Sequence, residues 1–220
     1  MCASPELTGP AFNRALGLAR RPDLVSEATR FFDEQRCVGW LVTDSPPWPG
    51  STAELGLSVF SARSSTLPEL SPPAGLRLRT LAATETDQWD SVHSAADSTS
   101  GLESPSISPW PRIVERLVRV PHVFLHVAER DGSAVGAGML MTSRGVGWLR
   151  AGAVVRAARG QGVQRALIGA RVESAVREGC DLVGSWATPA TATAINLERT
   201  GFATIGRREY HRYVPGDKHT

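Results

Sequence analysis

The chain has 220 residues, 41% apolar and 21% charged, a composition that supports a packed core and excludes an intrinsically disordered chain. Its 24 Lys and Arg against 22 Asp and Glu leave a net charge of +2, too small for the electrostatic footprint of a nucleic-acid or anionic-membrane binder. The cysteines Cys2, Cys37 and Cys180 show no C-x-x-C spacing and suggest neither a disulfide framework nor a zinc site, so a cytoplasmic setting is expected.

The first residues, with Pro5, Gly9, Pro10, Asn13 and Arg14, lack the unbroken apolar core of a secretory signal. No later stretch approaches the ~20 apolar residues of a spanning helix. Ala11 to Leu18 reads as a strand, Asp23 to Gln35 as a helix with Leu24, Ala28, Phe31 and Phe32 on one face, and Val38 to Thr43 as a strand. Ser51 with Glu54 three residues on has the form of a capping box and predicts a short helix ending near Ser58. Ser61 to Gly75, with Pro68, Pro72 and Pro73 among its serines, has a linker's composition. The expected organisation is a small β-α-β-α unit over 1–60, a linker over 61–75 and a main domain over 76–220.

In the main domain, Leu76 to Leu81 alternates as a strand and Thr84 to Asp97 is helical, with Trp89, Val92 and Ala96 aligned. A loop rich in Ser and Pro leads to a helix from Trp110 to Val118, opened by Ser108 with Pro109 at its first position. Three strands follow, His122 to Glu129, Ala134 to Thr142 and Gly147 to Val155. The first two are joined by Arg130-Asp131-Gly132, an Asp-Gly hairpin signal, so an antiparallel meander is predicted. Gly162 to Glu178 is helical, with Val163, Ala166, Leu167, Ala170 and Ser174 on one side and Gly179 at the left-handed cap. A strand at Leu182 to Ala187, a short helix from Thr191 to Thr200 ending in Gly201-Phe202, and a strand from Ala203 to Val214 complete the chain.

The segment from Ala153 to Leu167 joins a strand to a helix through a basic, Gly-rich turn. Unpaired N–H groups in a helix's first turn form an anion site, and Gly160 and Gly162 let a phosphate approach the main chain without Cβ obstruction. The turn lacks the Gly-Lys-Ser/Thr of a P-loop, and Arg165 stands where a dinucleotide fingerprint needs Gly. A pyrophosphate outside those two classes suits it.

On these residues the sequence resembles the GCN5-related N-acetyltransferase (GNAT) superfamily. Arg159, Gly160, Gln161, Gly162 and Val163 match its loop, while Gln164 departs from the usual small residue, as in a subgroup with an Arg-Gly-x-Gly-Val-Gln run. Pro189, Thr191, Thr193, Asn196, Arg199, Gly201 and Phe202 resemble a second family segment, and the likeness extends over residues 76 to 214. The run from Phe12 to Leu18 looks like the reduced first half of tandem members. It lacks the loop, so no cofactor is expected there.

The resemblance implies an α+β GNAT fold with a twisted, mixed, mostly antiparallel sheet flanked by helices, and acetyl-CoA as cofactor with CoA as product. The backbone of Val154 and Val155 would pair with the pantetheine arm, one of their N–H groups would stabilise the developing oxyanion, and the stretch Arg159, Gly160, Gln161, Gly162, Val163, Gln164 and Arg165 would hold the pyrophosphate. Thr193 and Asn196 would face the cofactor from the other side. The implied reaction is attack by a neutral amine on a thioester. The strand that carries a glutamate base in many relatives has no acid here, and Leu197 stands where a tyrosine often reprotonates the thiolate. Glu103 is the first candidate for base, ahead of His126 and Asp97, with water-mediated deprotonation equally admissible, and Tyr210, with Tyr213 beside it on the last strand, is a candidate acid. The expected partner is a small-molecule or peptide amine, without nucleic acid or membrane, and a homodimer is admitted. The alternatives are a catalytically silent acyl-CoA sensor and an interaction module without cofactor.

Overall fold

A computed structural model describes residues 1–4, 13–96 and 110–216, the side chains of 110–113 excepted. In chain order its strands and helices are β1 (Arg14–Ala15), α1 (Val25–Glu34), β2 (Gly39–Thr43), β3 (Leu55–Arg63), β4 (Leu76–Thr80), α2 (Thr86–Ala95), α3 (Trp110–Leu117), β5 (Val123–Arg130), β6 (Ser133–Ser143), β7 (Val146–Val154), α4 (Val163–Arg177), β8 (Leu182–Ala187), α5 (Ala192–Arg199) and β9 (Ala203–Tyr213). Two compact units divide the chain at Ser58/Val59 and again at Ile205/Gly206.

The first unit is built on β2, which pairs in parallel with β1 and antiparallel with β9. The amphipathic helix α1 lays Ala28 and Phe32 into a core with Ala15, Leu41 and Tyr213. Gly39 is required on β2, because a Cβ there would lie 2.2 Å from the Phe32 ring. Asp33 at the end of α1 accepts the Tyr213 hydroxyl at 2.8 Å, tying helix to strand.

Two local expectations are corrected in this unit. The strand predicted from Ala11 reaches only Arg14–Ala15 among the described residues, because Gly17 turns at φ 88 and a 3-10 turn follows over Leu18–Arg20. No helix starts at Ser51. Leu55, Leu57 and Val59 alternate with Gly56 and Ser58, and that period of two makes β3, overriding the capping-box pair. Ser51 Oγ instead meets His211 Nδ1 at 2.8 Å, and the Glu54 N–H donates to the Tyr210 carbonyl.

In the second unit β4, β5, β6 and β7 form the predicted antiparallel meander, and β8 joins β7 in parallel. Asp131 (φ 50) and Gly132 (φ 76) make the tight turn between β5 and β6 that the Asp-Gly pair requires. Alternation along β5 separates two layers. Val123, Leu125 and Val127 pack with Trp89, Val92 and Val114 from α2 and α3, while Ala128 packs with Val163 and Leu167 of α4. Helix α4 is buried along most of its length, including Ile168, Val172 and Ala175, and ends at Gly179 (φ 74) as expected. The Ser/Pro-rich segment crosses α4, with Leu70 buried 2.8 Å from where a Cβ on Gly169 would stand. Helix α2 begins at Thr86. Asp97, Ser108 and Pro109 lie outside the described residues.

Candidate functional site

The second unit contains an opening between two neighbouring strands. β7 and β8 pair only over Val146–Trp148 and Leu182–Gly184, although β7 continues to Val154 and β8 to Ala187. Where the ladder stops, side chains take over three successive carbonyls of β7. Ser185 Oγ donates to Leu149 at 3.0 Å, Arg171 Nη1 to Arg150 at 3.1 Å, and His93 Nε2 to Ala151 at 3.1 Å. A carbonyl only accepts, so His93 carries its proton on Nε2. On the opposite edge Ala151 and Gly152 face the single residue Gly138, a bulge with Ala151 at φ 45 that bends β7 away from β8.

The resulting cavity of about 60 Å³ is lined by Gly152, Trp186, Gln164, Arg171, Thr193 and Leu197, among others. Arg150 lies with its guanidinium carbon 3.9 Å over the Trp186 ring. At the far end of β7, the Val155 N–H donates to the Val135 carbonyl, and Val154 is the next residue along the ladder opposite Gly136. Antiparallel alternation therefore turns the N–H and carbonyl of Val154 away from β6, toward the opening. The expectation that Val155 offers its amide is corrected: β6 already takes it.

A 3-10 turn at Arg156–Ala158 and the left-handed glycines Gly160 (φ 75) and Gly162 (φ 77) lead into α4. The first helical bond runs from Ala166 to the Gly162 carbonyl. The N–H groups of Val163, Gln164 and Arg165 come before it and have no helix carbonyl to reach, so they form a donor cluster at the positive end of the helix. The Gln164 side chain donates to Thr193 Oγ1 at 2.9 Å and accepts from Asn196 Nδ2 at 3.2 Å, fastening α4 to α5 beside the cavity.

The family model described as "Acetyltransferase (GNAT) family" matches residues 86–202, more than half the chain. The chain belongs to the GNAT acetyltransferase family. Solved structures with the same fold include a GCN5-related N-acetyltransferase from Kribbella flavida, 17% identical over 91% of this chain and 77% of that one, with a TM-score of 0.63. A GCN5-related N-acetyltransferase from Sphaerobacter thermophilus gives 17% identity, 90% and 69% coverage and 0.64. A tandem GNAT protein from the clavulanic acid biosynthesis pathway gives 17%, 89%, 70% and 0.61. Among curated proteins none matches this chain.

Within this GNAT fold the residues named from sequence divide. Gln164 and Thr193 line the cavity, Val154 lies at the end of β7, and Gly160 and Gly162 lie in the turn into α4. Two side chains of the loop are turned to structural work: Arg159 donates to the carbonyls of Val154 and Ala96, each at 3.3 Å, and Gln161 accepts from Arg130 and donates to the Ala157 carbonyl. Glu103 lies outside the described residues. Tyr210 is buried in the first unit, opposite Val42 of β2. His126 is 2% exposed and shares a 2.9 Å hydrogen bond with Ser174 of α4. Burial, with Arg171 nearby, pushes its pKa down to about 3, so it stays neutral.

Sequence reasoning missed Arg171, Ser185 and His93. Arg171 is 3% exposed, donates Nε to the Leu167 carbonyl at 2.9 Å, and has its pKa pushed down to about 10 by burial. Its signal was present: it sits four residues after Leu167 and seven after Gln164, so a charge interrupts the buried stripe of α4. Gly138 makes room for it, since a Cβ there would stand 2.9 Å from its guanidinium carbon.

Proposed function

We propose that this chain is an acyl-CoA-dependent N-acyltransferase, using the acetyl-CoA of its family or a related thioester to acylate an amine of a small molecule or peptide. One observation carries the reading: the parting of β7 and β8 leads from the bulge at Ala151–Gly152 to the unpaired amides of α4. An extended amide-bearing arm can add to a free strand edge, and phosphates attached to it then meet a helix N-terminus. Val154 would supply the edge, and the amides of Val163, Gln164 and Arg165 the phosphate site, with Gly160, which has nothing within 4 Å of its Cβ position, permitting close approach. Thr193 and Asn196, held by Gln164, would wall the arm from the α5 side.

The thioester supplies an activated carbonyl; the protein's work is to position it, exclude water and move protons. The acceptor nitrogen forms a bond to the thioester carbonyl carbon as the carbon–sulfur bond breaks, and a proton passes from nitrogen to solvent or a base. Glu103 remains the proposed base, and no acid role is proposed for Tyr210, which is buried in the first unit. Glu103→Gln should lower kcat about a hundredfold or more, with little change in affinity for CoA.

Calorimetric titration with CoA and acetyl-CoA tests the reading, alongside Gly162→Glu, which adds a negative charge to the turn ahead of α4; its Cβ would stand 3.0 Å from Pro73 at φ 77, so the variant is compared only once shown to be folded. Micromolar binding in the wild type that is lost in the variant supports it; a folded wild type that binds neither ligand ends it. A second reading is favoured by one fact: among the described residues the cavity lining holds no carboxylate, histidine or tyrosine. An acyl-CoA-binding protein without turnover would bind equally well yet release no thiol across a panel of amines.

A further inference from the structure

Among the described residues Arg171 is a buried cation with no carboxylate partner. Among the described residues its acceptors are two backbone carbonyls, of Leu167 and Arg150, and its pKa is displaced by burial alone. Burying a cation without an anion is costly, and buried charges are retained where something pairs with them. The site is shaped around this one. Gly138 leaves space for the flat face of the guanidinium, and Nη2 lies 3.6 Å from where a Cβ on Gly152 would be, on the cavity side of the bulge. With Nε and one Nη1 hydrogen taken by those carbonyls, Nη2 and the second Nη1 hydrogen are left to donate to a carboxylate.

The position of Arg171 along the opening says what brings that carboxylate. The carbonyl it holds belongs to Arg150, four residues from Val154 and so about 13 Å along the same strand. An arm fixed by its phosphates at α4 and paired with Val154 therefore carries its acyl end toward Arg150 and Arg171. The cavity there, about 60 Å³, suits a chain of a few atoms.

We propose that Arg171 selects an acyl donor whose acyl group ends in a carboxylate, a malonyl or succinyl thioester of CoA, and holds that carboxylate beside the bulge of β7. This rests on the acyl-CoA reading above and names its donor. The transfer is unchanged in its balance: the acceptor nitrogen bonds to the thioester carbonyl carbon, the carbon–sulfur bond breaks, CoA leaves as the thiol with the proton the amine has lost, and the terminal carboxylate passes unaltered into the amide product. An acetyl group leaves Arg171 uncompensated.

The test is titration of the intact protein, without acceptor, with CoA, butyryl-CoA and succinyl-CoA. Butyryl matches succinyl in chain length and lacks only the charge. Succinyl-CoA is expected to bind about tenfold tighter than butyryl-CoA or better, the order of a charge-assisted hydrogen bond. Arg171→Met should abolish that ratio while CoA still binds, and Arg171→Lys, which keeps the charge but not the fork, should retain part of it. Equal affinity for the two thioesters in a wild type that binds CoA overturns the proposal and leaves the acyl-CoA reading standing. A ratio that survives in folded Arg171→Met also overturns it. Failure to bind CoA at all removes both readings, and the wild-type comparison decides even where Arg171→Met does not fold.

Discussion

Gln164 stands in the first turn of α4, and its side-chain amide shows what that position does. It donates to Thr193 and accepts from Asn196, so one residue at the start of α4 fixes where α5 stands beside the cavity. Gln164→Ala removes both bonds and leaves two partly buried polar groups without that partner. It should cost about 1–2 kcal/mol in urea unfolding and weaken CoA binding more than a surface substitution would. Gly39 matters for a different reason. Its φ is ordinary, but a Cβ would enter the Phe32 ring, so Gly39→Ala is an overpacking change expected to cost about 1–3 kcal/mol, read from the same unfolding curves.

At the scale of elements, the ends of α4 contrast. Its C-terminus was readable from Gly179, which takes φ 74 with nothing within 4 Å of where a Cβ would stand, so the residue serves backbone conformation alone. Gly179→Ala should cost about 1 kcal/mol without altering affinity for any ligand, as thermal unfolding and titration together would show. The N-terminus was readable too, because Gly160 and Gly162 precede a strong helical stripe. The bulge on β7 was not. Two residues there oppose one on β6, and the isolated Gly152 is the one local hint of it, too weak to say that the ladder gains a residue there. It depends on Gly138 across the ladder and on the side chains that hold the freed carbonyls. The helix predicted at Ser51 failed in the same way: a capping pair is a local signal, and alternation from Leu55 onward won because it fits a ladder with burial on one face.

For the whole molecule, pH connects fold and stability through buried imidazoles. Burial pushes the pKa of His126 down to about 3 and that of His93 down to about 4, from an ordinary 6.5. The unfolded chain therefore takes up protons that the folded one refuses. Their contribution is full above pH 6.5 and falls away as pH drops from 6.5 toward 3–4, at up to about 1.4 kcal/mol per pH unit for His126. Urea midpoints measured from pH 7 to pH 4.5 should fall, and His126→Asn should flatten part of that slope even if it lowers stability at pH 7. A slope identical in the two proteins would show that His126 already carries a proton in the fold.

The sequence by itself determined the order of elements from Leu76 onward, the meander, both ends of α4 and the loop that resembles the family, because each is written in periodicity, turn chemistry or a contiguous motif over a few residues. The tertiary structure alone decided which groups meet at the opening. Arg171, His93 and Ser185 come from α4, α2 and β8 and converge on three neighbouring carbonyls of β7, while Val155 loses its amide to β6. Local pattern records which face of an element is buried. Which donor fills which acceptor depends on strand register and on where a ladder stops, and these are settled only when residues distant in sequence compete for the same backbone groups.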